Sequence, residues 1–147
     1  MGKSTQNTKT PTELIDAIEY YFGMRFENDM AASSDNAQAL NYYTEEEDSL
    51  SREWPLGWCW LNPPFANLTK WINKCAIESK KCCKIISIWP LSGDLNQMVT
   101  WKQANVYVVH GRVWPLVRGC MICEWGINTG GVVRGLRWAN GSLTREW

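Results

Sequence analysis

Two apolar runs in this chain each stop abruptly at proline. The first, "WPLGWCWL" (54–61), meets Asn62-Pro63-Pro64-Phe65, and the second, "KIISIWPL" (84–91), is again ended by proline, at Pro90. Short continuous apolar runs bounded by turn residues fit buried strands. Proline fixes φ and brings no N–H to a ladder, so a strand that ends in two prolines cannot keep pairing. Between them, "NLTKWINKCAIESKK" (67–81) places Leu68, Trp71, Ile72, Cys75 and Ala76 on one helical face, with Lys70, Lys74, Lys80 and Lys81 elsewhere. Strand, helix, strand in that order requires an α/β sheet.

The flanking segments extend this pattern. Residues 1–9 read as a disordered lead-in. Thr10 as N-cap, Pro11 at the first helical position and Glu13 as capping-box partner open a helix whose Leu14, Ile15, Ile18, Tyr21 and Phe22 share a face, with Gly23 ending it. A short strand ends near Asp29. Ser33 or Ser34 caps an expected helix through Ala37, Leu40 and Tyr43, and 44–54 is an acidic loop or a short strand around Asp48-Ser49-Leu50. After a loop and helix at 92–104 come strands at 105–116, with a turn at Gly111, and at 119–126. The tail is expected to form a hairpin turning at Gly130-Gly131 and to fray from 139. The expected fold is one compact α/β domain over 1–147 whose last strands are antiparallel.

No stretch approaches the ~18–20 apolar residues of a membrane span, and the polar N-terminus lacks a secretory apolar core. The expectation is a soluble intracellular protein with no membrane partner. Six cysteines are expected to be buried free thiols: Cys120-x-x-Cys123 sits in an apolar run, and the single histidine, His110, leaves no zinc pattern, so no metal is assigned. Net charge is zero, yet residues 1–65 hold four basic and eleven acidic side chains while 66–147 hold eleven basic and four acidic. Such a split suits two partners of opposite sign, or chance clustering on solvated faces.

The prolines after Leu61 release carbonyl groups from the ladder. The Asn62 amide oxygen and the Pro63 carbonyl are left to accept hydrogen bonds at one point, at the carboxyl end of a strand, where α/β sheets bind ligands. Two convergent acceptors suit an exocyclic amine, and Phe65 could stack on the ring that carries it, such as an adenine flipped from its helix. A strand-terminating turn with a packed phenylalanine fits the tetrapeptide equally well.

The wider pattern resembles the phage DNA N-6-adenine-methyltransferase family. Its motifs occur in one order: Thr10-Pro11-x-x-Leu14, Asp29-Met30-Ala31-Ala32-Ser33, Asn36-Ala37, Tyr42-x-Thr44, Asp48-x-Leu50, Trp54 and Asn62-Pro63-Pro64-Phe65. The resemblance covers about residue 9 to about 90. It implies a minimal Rossmann-like class I methyltransferase sheet with flanking helices, using S-adenosylmethionine. By the same resemblance Thr10 and Pro11 line the methionine end of the cofactor. Asp29 faces its ammonium beside the small-residue turn Met30, Ala31, Ala32 and Ser33, while Asp48, Ser49 and Leu50 contact its adenine. Asn62, Pro63, Pro64 and Phe65 take the catalytic positions for direct methyl transfer to adenine N6. The partner is DNA, double-stranded or single-stranded, with Lys70, Lys74, Arg112, Arg118, Arg134 and Arg137 as candidate phosphate contacts. Trp138 and Trp147 are candidates for base stacking. A phage-encoded member would work in the host cytoplasm. Two alternatives stand beside this reading: another amine acceptor (an RNA base, cytosine N4 or protein glutamine), or a module that binds cofactor or DNA without turnover.

Overall fold

A computed structural model describes residues 10–64, 66–81, 83–111 and 119–147. The described strands form one eight-stranded sheet in the order β2-β1-β3-β4-β6-β5-β7-β8. They are β1 (Asn28–Asp29), β2 (Asn41–Tyr42), β3 (Gly57–Leu61), β4 (Cys83–Pro90), β5 (Asn105–His110), β6 (Cys120–Trp125), β7 (Val133–Ala139) and β8 (Ser142–Arg145). β2, β1, β3 and β4 run parallel. β6 is antiparallel to both β4 and β5, and β8 is antiparallel to β7, while β7 returns parallel to β5. The methyltransferase-like sheet with antiparallel strands late in the chain is therefore present.

Alternation along the strands sorts side chains into two cores. Trp60, Ile86, Ile88, Ile122 and Leu136 meet α1 (Thr12–Phe22) through Leu14, Ile15 and Ile18. Cys59, Leu61, Ile85, Trp89, Met121 and Cys123 face the other way, onto Trp71, Ile72, Cys75 and Ala76 of α2 (Leu68–Ser79) and Val99 of α3 (Gly93–Trp101). The result is a three-layer α/β/α arrangement in which β3 and β4 are apolar on both faces. The five described cysteines, Cys59, Cys75, Cys83, Cys120 and Cys123, are buried free thiols; Cys82 lies outside the described residues. Among the described residues no helix is long and apolar enough to cross a membrane.

Several local expectations need correction. α1 begins at Thr12, with Pro11 in the cap position and no side-chain cap. The Pro11 carbonyl takes the Leu14 and Ile15 N–H groups, and the Thr10 hydroxyl serves another partner, described below. Gly23 does end the helix: at φ 66° it lets Met24 N–H reach back to the Glu19 carbonyl at 3.0 Å. The expected helix over 33–43 is absent, because side chains claim its backbone donors. Ser33 N–H goes to Asn36 Oδ1 at 2.7 Å and Gln38 N–H to Asp29 Oδ2 at 2.9 Å, after which the chain enters β2. The acidic stretch is a turn closed by Glu47, whose Oε1 takes Thr44 N–H, followed by a 3-10 turn at Ser49–Ser51 in place of a strand.

The tail is also paired where fraying was expected. β7 and β8 form a hairpin whose two-residue turn is Asn140-Gly141, with φ of 52° and 75°; Ala139 faces Ser142. Both positive φ values match the turn that follows strand twist. Gly130-Gly131 lies instead in the connection before β7. Beyond β8, Glu146 pairs with Arg137 at 2.6 Å, and the Trp147 indole lies so close over Gly135 that a Cβ there would come within 2.3 Å of Nε1.

Glu78 anchors α2 to the segment before β3. Its side chain is 2% exposed; Oε1 accepts Trp54 N–H at 3.0 Å, and Oε2 lies 2.9 Å from Lys74 Nζ and 3.5 Å from Lys81 Nζ. Burial pushes its carboxyl up, but the Trp54 N–H and the Lys74 ammonium more than offset this, so the pKa lies below the ordinary value. Glu78→Gln is expected to cost about 2–3 kcal/mol at neutral pH, because Lys74 loses its partner in a mostly buried setting. A group shifted downward stabilises above its unfolded pKa and loses that effect as pH falls through the folded value. Urea unfolding should therefore show the two proteins converging in acid; a gap unchanged from pH 7 to pH 3 would contradict this account.

Candidate active site

The chain leaves β1 toward β2 on one side and then enters β3 on the other side of β1. Such a reversal opens a crevice at the carboxyl ends of β1 and β3, the usual ligand site of open α/β sheets. Asp29 is aligned with Trp60, so Asn62 stands two residues beyond, at the rim of that crevice. The Trp60 carbonyl is taken by Met30 N–H at 2.9 Å. Past Leu61 the ladder ends, because Pro63 and Pro64 bring no donors. Pro63 is buried and Asn62 half-buried. Among the described residues no backbone N–H donates to the Asn62 or Pro63 carbonyl. Asn62 Nδ2 donates to Thr10 Oγ1 at 2.9 Å, which ties down one edge of the amide and turns Oδ1 away from Thr10. Phe65 lies outside the described residues.

Asp29 closes the other side of the crevice. It is 2% exposed, with Oδ1 accepting Ala31 N–H at 3.3 Å and Oδ2 accepting Gln38 N–H at 2.9 Å. Burial pushes its carboxyl up to about 6, against the pull of the Gln38 and Ala31 N–H groups. A buried carboxylate with this shift gains from any cation placed beside it. Met30 packs into the core, while Ala31, Ala32 and Ser33 are half-buried and form the turn over the strand end.

The second expected cofactor segment is brought onto the first. Ser49 Oγ donates to the Met30 carbonyl at 2.6 Å, and Trp54 Nε1 donates to the Ser49 carbonyl at 2.9 Å. Ser49 is thereby buried as a strut, Leu50 packs against the core, and Asp48 is exposed with a left-handed backbone at φ 51°. Pro11 contributes its carbonyl to the start of α1, so Thr10 is the residue of that pair joined to Asn62.

The basic candidates do not form one surface. Lys70 is exposed in the first turn of α2. Lys74 is held by Glu78 and by the Arg52 carbonyl, which takes it out of the phosphate-contacting set. Arg134 and Arg137 both lie on β7, four strands from β3, or about 19 Å at the usual strand spacing. An odd separation in a strand points them to opposite faces, and Arg137 is paired with Glu146. Arg112 and Arg118 lie outside the described residues. Trp138 packs beside the α1-side core, whereas Trp147 is about half exposed, at 53%.

One residue escaped the sequence reading. Gln38 donates its backbone N–H to Asp29 and its side-chain Nε2 to the Thr10 carbonyl at 2.9 Å. Nothing in a helical reading of 33–43 could single it out, since its role depends on the strand end at Asp29 drawing the backbone away from a helix.

Comparison with known proteins agrees with this geometry. The family model described as DNA N-6-adenine-methyltransferase (Dam) matches residues 3–111. The DNA N-6-adenine-methyltransferase of Haemophilus phage HP1 (strain HP1c1) is 24% identical over 108 residues, 71% of this chain and 62% of that protein. The protein of the same name from Escherichia phage T1 is 36% identical over 70 residues, 47% of this chain and 29% of that one. The chain thus spans less than two thirds of either relative. Among solved structures, the methyltransferase subunit of a type I restriction-modification system from Streptococcus thermophilus superposes with a TM-score of 0.50 at 10% identity, over 99% of this chain and 52% of that one, a likeness of fold.

Proposed function

The chain belongs to the DNA N-6-adenine-methyltransferase family, and from that membership we propose that it transfers a methyl group from S-adenosylmethionine to the N6 amine of adenine in DNA. The observation that carries this reading is the end of β3: a ladder stopped by Pro63 and Pro64, with the Asn62 amide anchored at Nδ2 by the Thr10 hydroxyl. Two carbonyl acceptors at one rim match the two hydrogens of an exocyclic amine. Accepting both, they hold the nitrogen in place and favour the positive charge that develops on it during transfer. Phe65 stacks on the extruded base in this reading, an arrangement worth ~1–3 kcal/mol per base.

The crevice suits the cofactor. The buried Asp29 carboxylate would hold its ammonium, Met30 to Ser33 would supply the wall, and Asp48 to Leu50, strapped to Met30 by Ser49, would hold its adenine. Bound there, S-adenosylmethionine supplies a methyl carbon activated by the adjoining sulfonium. Lys70, in the first turn of the helix that follows the Asn62 loop, is the described basic residue closest in sequence to the proposed catalytic turn and is assigned to a phosphate.

The test is incubation of the purified chain with methyl-labelled S-adenosylmethionine and, separately, duplex DNA, single-stranded DNA, RNA and protein, followed by mass spectrometry of the digests. Label on N6-methyladenine from DNA is the expected result. Label confined to RNA, to cytosine N4 or to glutamine would replace the substrate, and binding without label would leave a non-catalytic module.

A further inference from the structure

Asn62 is held by Thr10, but Thr10 precedes α1 and the helix ladder does not hold its carbonyl. Gln38 does. Its Nε2 donates to the Thr10 carbonyl at 2.9 Å, the Thr10 hydroxyl accepts from Asn62 Nδ2 at 2.9 Å, and the Gln38 N–H donates to Asp29 Oδ2 at 2.9 Å. One residue on the segment between β1 and β2 therefore touches both halves of the crevice. Thr10 is 6% exposed, so the bond to its carbonyl is sheltered from water, and a sheltered donor without a replacement is costly to lose.

We propose that Gln38 is a positioning residue of the methyl-transfer site, fixing Thr10 so that the Thr10 hydroxyl holds the Asn62 amide in its working orientation. This rests on the assignment of Asn62 as the residue that holds the target amine. Each link is separable: Gln38→Ala keeps the backbone N–H on Asp29 and removes only the link to Thr10, and Thr10→Val keeps the shape of the side chain and removes only the hydroxyl. Both leave the proposed cofactor acid and its two N–H partners in place.

The experiment compares wild type, Gln38→Ala, Thr10→Val, Thr10→Ser and the Gln38→Ala/Thr10→Val double variant. Loss of positioning by about an ångström commonly lowers turnover by up to about 100-fold. Both single variants should lose about 10- to 100-fold in kcat; Gln38→Ala, which lies outside the cofactor-lining set, should keep KM for DNA and Kd for S-adenosylmethionine within about twofold of wild type. Thr10→Ser should restore most of the rate. The double variant should lose no more than the worse single, because both changes break one chain of contacts. Independently of turnover, 15N relaxation of the Asn62 side-chain amide should report an ordered group in wild type and Thr10→Ser, and a mobile one in Gln38→Ala and Thr10→Val. Additive losses, a Gln38→Ala loss carried by Kd instead of kcat, or an Asn62 amide equally ordered in all variants would overturn the inference. A wild-type chain that places no methyl group on adenine would overturn the functional reading instead, and the relaxation measurement still decides whether Gln38 holds Asn62.

Discussion

Asn62→Ala is expected to lower adenine N6 methylation by about 10³-fold while leaving the fold and cofactor affinity close to wild type. Removing one preorganised polar group that serves charge development typically costs 10²–10³-fold, and here the same group also orients the nitrogen. The side chain is half-buried at a strand end, hydrogen-bonded to Thr10 and outside both core clusters, so the fold should survive its loss. Asn62→Asp is the informative companion: it keeps a carbonyl-type acceptor, and Thr10 can turn its hydroxyl to donate, so a substantial part of the rate should survive. Single-turnover methylation of a DNA oligonucleotide, with cofactor binding measured by calorimetry, checks both. Asn62→Ala activity above a tenth of wild type would remove Asn62 from the catalytic role.

That β3 ends where it does follows from covalent chemistry, and the resemblance made that end the candidate site. Two consecutive prolines end a ladder in any context, and an apolar strand ahead of them fixes where the end must lie, so Asn62 and Pro63 were legible from the sequence. Asp29 was legible as the end of a short strand, and it became a candidate only through the family resemblance. The segment 33–43 was not, because its backbone N–H groups have a choice of acceptors. A helix would satisfy them locally, but Asp29 and Asn36 offer side-chain oxygens, and only the assembled sheet decides between these. Gln38 became visible only with that decision made. The Asn140-Gly141 turn, by contrast, carried its signal openly in an Asn-Gly pair between alternating residues, and Gly130-Gly131 drew attention from it.

The charge split places no surface, for a physically simple reason. A count along the chain sums residues that the fold sends in different directions. Lys74 is turned inward by the buried Glu78, and Arg134 and Arg137 lie on opposite faces of one strand. Within the acidic half it is the single buried carboxylate Asp29, and not the exposed run Glu45 to Glu47, that sits at the crevice.

The affinity for S-adenosylmethionine should rise by up to about tenfold between pH 5 and pH 7, and Asp29→Asn should abolish that rise. Burial lifts the Asp29 pKa from 3.8 to about 6, so the ligand-free carboxyl is largely protonated at pH 5 and ionised at pH 7. A cation beside it favours the ionised form, so the pKa falls on binding, and by linkage the affinity climbs with pH until it passes about 6. Charge-assisted contacts of this kind are worth about 1.5–3 kcal/mol, a factor of roughly 10 to 100. The same shift has the opposite sign for the ligand-free fold. Stability from a group whose pKa is raised is fully present below the unfolded value and is lost as pH rises through the folded one. Wild type should therefore lose up to about 3 kcal/mol from this group by pH 7. Asp29→Asn cannot lose it, although its single oxygen satisfies only one of the Ala31 and Gln38 N–H groups. Thermal unfolding from pH 3 to pH 8 and calorimetric titrations from pH 5 to pH 8 measure both halves. A wild-type affinity flat across that range, or the same slope in Asp29→Asn, would place the cation elsewhere in the crevice.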